Sequence, residues 1–462
     1  MNLPAERNAA EFMISRLKSH VAKLRLRGHP GDLSGPSEWL DLCEAISNTS
    51  LDYLQRFDAA SAPDCSQILK DTNDLNNLVY SLLVEMEGSG SEDLPYPVVG
   101  PMQRWIELLR IPNVTFFRAL PAPIYEIRRF QLTDFEGIRD TSRDLQRILS
   151  AKSKWPYLRI TVPSRALGIL PHFAIVAHEV GHIIHQSIAP QFDFPDEELT
   201  KFSHKVLTSL GVADIRPESK TFFNATTKSW LSELLADAVG ICMLGPAFYF
   251  ALCAFIQGKT SEYILTRTHP PAILRRRIAF RNLTRAGKWD HPSVFLKRTG
   301  VELQEGINSQ LLEQPAPDDV LIESLVAKDY DEEEAHILCR LPELVESVSE
   351  EVFRTAYDHI AQVAPSLLYT SQQLDRDLKE HLDALVMAIP PIEFGVSLES
   401  TTHAELSSIL NVGWAVLLTR LDQLAVRQEE PQLLIAEKSE KLHSLLVKAV
   451  ELSEAKRIWM QA

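Results

Sequence analysis

The sequence predicts an α+β protein that is predominantly α-helical and contains one small sheet. Apolar residues recur with helical spacing over residues 11–26 and 65–86 near the start, and over 404–424 and 431–459 near the end. Short β-prone segments bounded by prolines lie between these regions, and the strongest of them is 157–162. Helical regions at both ends are therefore expected to flank a central part that contains the sheet.

Changes in composition divide the chain into three predicted regions. An acidic stretch rich in Gly and Ser at 87–93 ends an N-terminal helical region, 1–95. The central region, 96–295, holds the β-prone segments. The C-terminal region, 300–462, is helical and acidic, with a Pro-rich turn at 314–318. Its long amphipathic helices are candidates for binding a partner or a second copy of the chain.

The charge of the chain argues against two classes of partner. With 47 Lys and Arg residues against 62 Asp and Glu residues, the formal net charge is −15. Such a chain has no basic surplus to neutralise phosphates, so nucleic acid is not expected as a main partner. The same negative charge disfavours binding to anionic membrane surfaces.

One apolar segment, 234–256, is long enough to span a bilayer, but the sequence favours a buried helix. Asp237 lies within this segment, and the pair Gly245-Pro246 is expected to break it. The N-terminus carries no apolar run of the kind that a secretory signal needs. The five cysteines are widely spread and lack metal-ligand spacing, which indicates reduced thiols. We therefore expect a cytoplasmic protein without a membrane span.

The pattern H-E-x-x-H occurs at His178, Glu179 and His182, directly after the apolar run 173–177. On a helix, residues four apart face the same way, so the two imidazoles can hold one metal ion between them. Glu179 lies beside both, where its carboxylate can reach a metal-bound water without binding the metal. Zinc-assisted hydrolysis needs this arrangement, because the ion acidifies the water and the carboxylate takes its proton. The alternative is that the pattern occurs by chance. A catalytic zinc site needs a third protein ligand, so the presence of such a ligand distinguishes the two interpretations.

Three completions of this motif differ in where the third ligand lies. The metzincin form needs Gly and His at positions that here hold His185 and Ile188, and a nearby G-T-x-D ligand is absent. In the remaining form, a second helix supplies Glu as E-x-x-x-D, and the Asp supports a ligand His. Glu233 and Asp237 fit this form in an otherwise apolar stretch. Two buried carboxylates there need a cation or hydrogen-bond donors to compensate them.

Two neighbouring features leave alternatives open. His185 is the other conceivable ligand, but it lies one turn beyond His182, where a supporting or core role is the better interpretation. The predicted strand 157–162 precedes the motif helix. It is either the edge of a cleft, where an extended substrate could pair, or an ordinary interior strand.

Three segments in this order resemble gluzincin metallopeptidases of the HtpX and CAAX-prenyl-protease type. They are AHEVGHIIH at 177–185, SELLADAVG at 232–240, and THPP with its following arginines at 268–277. Members of that family show H-E-x-x-H, then E-x-x-A-D, then a His-Pro pair that leads to Arg. Its membrane-embedded members have clear transmembrane helices, whereas this sequence predicts none, so the resemblance is to a soluble variant.

The resemblance implies a zincin-like core and a role for each matching residue. His178, His182 and Glu233 would bind one zinc ion per chain. Glu179 would act as the general base, and Asp237 would orient a ligand His.

The same resemblance implies that His269 and Arg275 lie near the cleft as catalytic residues. Which arginine faces the cleft is left open, because Arg275, Arg276 and Arg277 are consecutive. The alternative for His269 is a His-Pro pair that starts a helix and has no catalytic role.

The sequence therefore predicts a zinc metallopeptidase that hydrolyses peptide bonds in a protein or peptide. Glu179 would take the proton of the attacking water, and His269 or an arginine of 275–277 would stabilise the oxyanion. One alternative is a regulatory or binding protein built on the same scaffold, and another is a zinc amidohydrolase that acts on a non-peptide amide. The intact Glu179 argues against the first, because a purely structural site needs no base.

Overall fold

The computed structural model shows a predominantly helical protein, as the sequence predicts. It describes residues 3–27, 34–86, 89, 96–111, 115–120, 126–130, 157–163, 170–188, 216–256, 265–285, 330–394, 402–425 and 435–461. The chain divides into two compact units. The first comprises residues 1–103 and 112–167, and the second comprises 104–111 and 168–462.

These units differ from the three regions predicted at 1–95, 96–295 and 300–462. The strands belong to the first unit with the N-terminal helices, whereas the H-E-x-x-H helix belongs to the second unit with the C-terminal helices. The predicted turn at 314–318 lies outside the described residues. The central region is divided because its strands and its helices have packing partners at opposite ends of the chain.

Three helices form the core of the first unit, and a fourth helix ends in the second unit. Their bounds are Leu3–Arg27 for α1, Ser34–Gln55 for α2, Ala62–Glu85 for α3 and Tyr96–Leu108 for α4. The apolar faces of α1, α2 and α3 pack into one cluster. Trp39 is fully buried there, and its indole N–H donates to the carbonyl oxygen of Leu82 at 2.9 Å. The first three helices thus shield one another's apolar faces from water.

The small sheet has three strands. They are β1 (Thr115–Leu120), β2 (Glu126–Phe130) and β3 (Tyr157–Pro163). β3 lies in the centre, parallel to β1 and antiparallel to β2. A strand with a neighbour on each side has no free edge for an extended substrate. The structure therefore contradicts a cleft-edge role for 157–162 and supports the interior strand.

The described part of the second unit is helical apart from one short hairpin. A 3-10 turn at Leu170–Ile175 leads into α5 (Val176–Ile188), which is followed by α6 (Pro217–Leu244), α7 (Pro246–Ile256), α8 (Ala272–Arg285), α9 (Glu332–Val363), α10 (Ser371–Val386), β4 (Glu393–Phe394), β5 (Thr402–His403), α11 (Leu406–Thr419) and α12 (Ile435–Gln461). α5 and α9 pack against α6, and α8 packs against both α6 and α7. α6 is therefore the helix around which the second unit is built.

Local sequence signals explain where several of these helices begin. Pro217 is the first residue of α6, a position whose N–H has no partner within a helix. α9 starts with a capping box in which Asp331 accepts from the backbone N–H of Glu334 and Glu334 accepts from that of Asp331. Thr370 and Gln373 form the same box before α10.

The apolar segment 234–256 forms a buried helix that is broken where the sequence predicts. α6 ends at Leu244 and α7 begins at Pro246, and almost every residue of both helices in this segment is buried. Gly245 between them has φ 54° and ψ −131°, a conformation that is open to glycine because it has no Cβ. In the described part of the chain, no helix is both long and apolar enough to cross a membrane.

α11 stabilises this break with a buried amide. The side chain of Asn411 donates to the carbonyl oxygen of Leu244 at 2.8 Å and accepts from the backbone N–H of Ala247 at 2.9 Å. On the same helix, Trp414 donates to the carbonyl oxygen of Pro171 at 2.9 Å, next to the start of α5. Both contacts satisfy backbone groups that would otherwise be buried without partners. They explain why the C-terminal helices do not form a separate domain.

A glycine allows α5 and α6 to approach each other closely. A Cβ atom added to Gly181 would lie 2.5 Å from the Cα atom and 2.9 Å from the carbonyl oxygen of Ala236. Non-bonded carbon atoms do not approach each other so closely. Any larger residue at 181 must therefore push the two backbones apart. Gly181 lies between the two histidines of the motif, and Ala236 lies between Glu233 and Asp237. The contact therefore fixes the distance between the two motif segments.

We expect Gly181→Ala to lower the free energy of unfolding by about 2 kcal/mol, because the new methyl group meets backbone that cannot yield locally. Gly413→Ala is the matched control. Its added Cβ would meet the end of the Leu446 side chain, at 2.6 Å, and that side chain can move. The gain in helix propensity, about 1 kcal/mol, should then offset the cost. Chemical denaturation measures the free energy of unfolding of both variants. An equal loss of stability in the two would contradict a close backbone contact at Gly181.

Candidate metal centre

The two histidines of the motif point their Nε2 atoms at one place. α5 separates them by one turn, and the two Nε2 atoms lie 3.1 Å apart. α6 brings the carboxylate of Glu233 to the same place. Its Oε2 lies 3.4 Å from Nε2 of His178, and its Oε1 lies 3.2 Å from Nε2 of His182. These three residues form a buried group that could hold a metal ion.

The three side chains are close enough to share one ion. With metal–ligand bonds of about 2.0–2.1 Å, two ligands of a tetrahedral zinc site lie about 3.3–3.4 Å apart. The two Nε2 atoms lie 3.1 Å apart, and a different oxygen of Glu233 is nearest to each of them, at 3.4 Å from His178 and 3.2 Å from His182. One ligand atom from each of the three residues lies within 4.8 Å of the other two, so the carboxylate must turn for a single oxygen to join both histidines at one ion.

The charge balance of the site also calls for a cation. Glu179, Glu233 and Asp237 are buried, with relative exposures of 7%, 7% and 2%, and one buried cation, Arg275, lies with them. When the carboxylates are ionised and the imidazoles neutral, three negative charges face one positive charge. Buried charges are costly unless they are compensated, and a divalent ion offsets the remaining two.

Each ligand histidine has a partner on α6 that orients its ring. Nδ1 of His178 lies 2.9 Å from Oδ1 of Asp237, and Nδ1 of His182 lies 3.3 Å from Oγ of Ser232. A proton on Nδ1 of His178, donated to the carboxylate, leaves the lone pair on Nε2 for a metal. Asp237 thus occupies the supporting position that the sequence suggests for it.

Arg275 is the arginine of the three that reaches the metal centre. Its Nε and Nη2 donate to the two carboxylate oxygens of Asp237 at 2.9 and 2.8 Å, and its Nη1 lies 3.1 Å from Oε2 of Glu233. Arg277 pairs instead with Glu346 at 2.5 Å. Because the donors of Arg275 are engaged by buried carboxylates, the geometry gives it the task of holding them. It is not placed as an oxyanion donor.

The pKa values of the site reflect burial and close ion pairing. Burial raises the pKa of Glu179. Burial acts the same way on Glu233, but the charge of Arg275 and the nearby histidines hold its pKa well below the usual range. Burial and Arg275 act to lower the pKa of His178, yet hydrogen bonds to Asp237 and Glu233 outweigh them and raise it to about 9. At this pKa His178 carries a second ring proton at neutral pH, which offsets one negative charge, and a metal ion that binds Nε2 must displace it.

His269 lies at the solvent-exposed side of the centre. Its side chain is 60% exposed, and its Nε2 lies 3.7 Å from Oε1 of Glu233. Its Nδ1 is 2.9 Å from the hydroxyl oxygen of Thr268, and Thr266 bonds to its backbone N–H and carbonyl. His182 is also partly exposed, at 22%. Water can therefore reach the candidate ligand atoms from the side on which these two histidines lie.

Sequence reasoning missed three features of this centre. It named neither Ser232 as a partner of His182 nor the close contact of Gly181 with Ala236. Small residues within both motif segments were the available signal for that contact. It also offered an arginine of 275–277, as an alternative to His269, for the oxyanion, and it did not assign Arg275 to the two buried carboxylates, although these already required a compensating group. The side chain of His185 lies outside the described residues.

Comparison with known proteins gives no family for the chain. No family model, no curated protein and no solved structure matches it. The three segments 177–185, 232–240 and 268–277 nevertheless meet in the structure, on α5, on α6 and at the start of α8. The assignment of a function must therefore rest on the site itself.

We expect the purified protein to bind about one zinc ion per chain, and His178→Ala, His182→Ala or Glu233→Ala each to lower the occupancy strongly, because a three-ligand site tolerates no vacancy. His336→Ala, which removes an exposed histidine of α9, is the control and should leave the zinc content unchanged. Metal analysis by mass spectrometry measures the occupancy. Full occupancy in Glu233→Ala would contradict its assignment as a ligand.

Proposed function

We propose that the protein is a zinc metallopeptidase that hydrolyses peptide bonds in a protein or peptide substrate. The observation that carries this proposal is the largely buried group His178, His182 and Glu233, in which one ligand atom from each residue lies within 4.8 Å of the other two. Three protein ligands are the number found in catalytic zinc sites, which keep the fourth position open. The partly exposed side at His182 provides the way in.

We propose a gluzincin-like core for the same reasons. The resemblance to the HtpX and CAAX-prenyl-protease type rests on three short segments, and the contacts among them support it. Asp237 lies beside a ligand histidine, and Arg275 joins Asp237 to Glu233. Paired carboxylates from one helix, facing two histidines of another, are the pattern that this family uses.

Glu179 is the proposed general base. It follows the ligand His178 on α5, is 7% exposed, and interacts electrostatically with both histidines and with Glu233. It is close to the ligand group without belonging to it. A bound zinc ion would lower the pKa of water and polarise the scissile carbonyl. Glu179 then takes the proton of the attacking water and passes it to the leaving amine.

His269 is the proposed donor to the developing oxyanion. Partial desolvation of the imidazole and the charge of Arg275 lower its pKa and outweigh the opposing effect of Glu233, which favours the neutral ring at pH 7. If the hydroxyl of Thr268 donates to Nδ1, the ring proton resides on Nε2, the atom that faces the ligand group. Nε2 can then donate a hydrogen bond to a substrate oxygen.

We propose a reducing, cytoplasmic location. All five cysteines are described, and none forms a disulfide. Cys43 is buried in the helical core of the first unit, and burial raises the pKa of its thiol. Cysteines that form no disulfide are typical of proteins that work in a reducing compartment.

We expect Glu179→Gln to keep the zinc content and the fold but to lower kcat by about 10²–10⁴-fold, since the amide cannot accept the proton. Glu343→Gln, at an exposed position of α9, is the matched control and should cleave like the wild type. Mass spectrometry of a proteome-derived peptide library reports cleavage. Wild-type turnover in Glu179→Gln would refute the mechanism. Zinc binding without any Glu179-dependent cleavage would favour a binding protein or an amidohydrolase.

We expect His269→Ala to lower kcat by a factor equivalent to about 2–4 kcal/mol, as loss of one oxyanion donor does, while zinc content stays unchanged. A merely structural His269 would give the opposite pattern, with a lower melting temperature and a normal kcat. Both quantities are to be measured on one preparation, with His336→Ala as the control. An unchanged kcat would remove His269 from the site.

A further inference from the structure

The first unit carries a groove that the proposed peptidase chemistry does not use. It runs between α1 and α3, away from α2, and has a volume of about 670 Å³. Its polar lining from α1 consists of Arg16, Ser19, His20, Lys23 and Arg27. The lining residues of α1 extend from Met13 to Arg27. At 1.5 Å per residue, α1 rises by about 21 Å between them, so the groove is about 21 Å long.

The groove is basic although the chain is acidic. Arg16, His20, Lys23 and Arg27 follow one another at intervals of three or four residues, so they lie along one face of α1. Among the residues that the structure describes, no acidic one lines the groove. Neither Arg16 nor Lys23 forms an ion pair with any residue that the structure describes. Arg25, on another face of α1, behaves differently and pairs with acidic residues of α2.

A buried amide in the groove has no hydrogen bond to the described part of the chain. Asn76 of α3 lines the groove and is 3% exposed, yet neither its Oδ1 nor its Nδ2 has a partner among the described residues. Leaving a buried donor or acceptor unpaired lowers stability, so native proteins rarely keep one without a use. An apolar residue would fill the same place without that cost. The amide therefore points to a ligand that brings both a donor and an acceptor.

We propose that this groove binds an acidic peptide segment of a partner protein in an extended conformation. The backbone of an extended peptide presents one N–H and one C=O together, the pair that Oδ1 and Nδ2 of Asn76 require. About six extended residues span 21 Å. Every second side chain of such a peptide points the same way, about 6.6 Å apart. Successive basic residues on this face of α1 are about 5 Å apart along the helix axis. Asp or Glu at every second position of the peptide can therefore pair with them.

Other occupants fit the groove less well. A second copy of the chain that used the same face would bring basic residues against basic residues across a twofold axis. A nucleic acid would gain few phosphate contacts and would meet the net charge of −15. A lipid surface is flat at this scale and could not bring partners to the buried amide of Asn76.

Fluorescence anisotropy with the full chain at low salt tests this proposal. The probe is a labelled peptide of alternating Glu and Ala with a central Leu, and the matched probes carry Gln or Lys in place of Glu. We expect the Glu peptide to bind at least tenfold more tightly than the Gln peptide, and the Lys peptide not to bind. Phosphatidylserine vesicles and a single-stranded oligonucleotide are tested alongside, and preferential binding to either would overturn the proposal.

Two variants connect binding to the groove. Lys23→Glu should weaken binding of the Glu peptide at least tenfold, whereas Lys70→Glu, an equal charge reversal at an exposed position of α3 outside the groove, should weaken it much less. Asn76→Leu should weaken binding at least fivefold without lowering the melting temperature, because it removes an unpaired polar group.

Several outcomes overturn the proposal. They are equal effects of Lys23→Glu and Lys70→Glu, equal binding of the Glu and Gln peptides at up to about 1 mM, and a lower melting temperature with normal binding in Asn76→Leu. If Asn76→Leu does not fold, the comparison of the two lysine variants decides. None of these measurements involves the metal centre, so a failure here leaves the proposed peptidase activity untouched.

Discussion

The close contact of α5 with α6 at Gly181 and Ala236 is the constraint on which the metal centre depends. The ligands of the centre come from both helices, and their atoms must lie about 3.3 Å apart to share a tetrahedral ion. Side chains of fixed length achieve this only if the backbones are correctly spaced. A Cβ atom at 181 would lie 2.5 Å from the Cα atom of Ala236, so glycine is required there. The packing of two helices thus decides whether two motifs become one site.

The second requirement is electrostatic, and it distinguishes this site from a structural ion pair. In a buried salt bridge, the charges of the partners cancel within the protein. Here Arg275 compensates only part of the charge of Glu233, Asp237 and Glu179. A proton on His178 offsets one of the two remaining charges, whereas a divalent ion could offset both. The charge distribution, like the distances, therefore suits a divalent cation.

The sequence predicted what depends on neighbours within one helix. His178 with His182, and Glu233 with Asp237, lie on common faces because helix geometry places residues four apart together. The helix break at Gly245 was equally local. The domain boundaries could not be predicted in this way, because they depend on contacts between distant parts of the chain, such as that of Trp414 with Pro171. Position along the chain carries no information on such contacts, and the same reason hid the neighbours of β3 and the choice among three consecutive arginines.

The metal centre and the basic groove share one physical feature, which is a buried polar group whose requirements the protein itself does not meet. In the candidate metal centre the unmet requirement is charge, because Arg275 offsets only part of the charge of the three buried carboxylates. In the groove it is hydrogen bonding, at both polar atoms of Asn76. Each such group lowers stability, so selection for folding alone would replace it with an apolar residue. A group that is kept at this cost beside open space is best explained by what occupies that space.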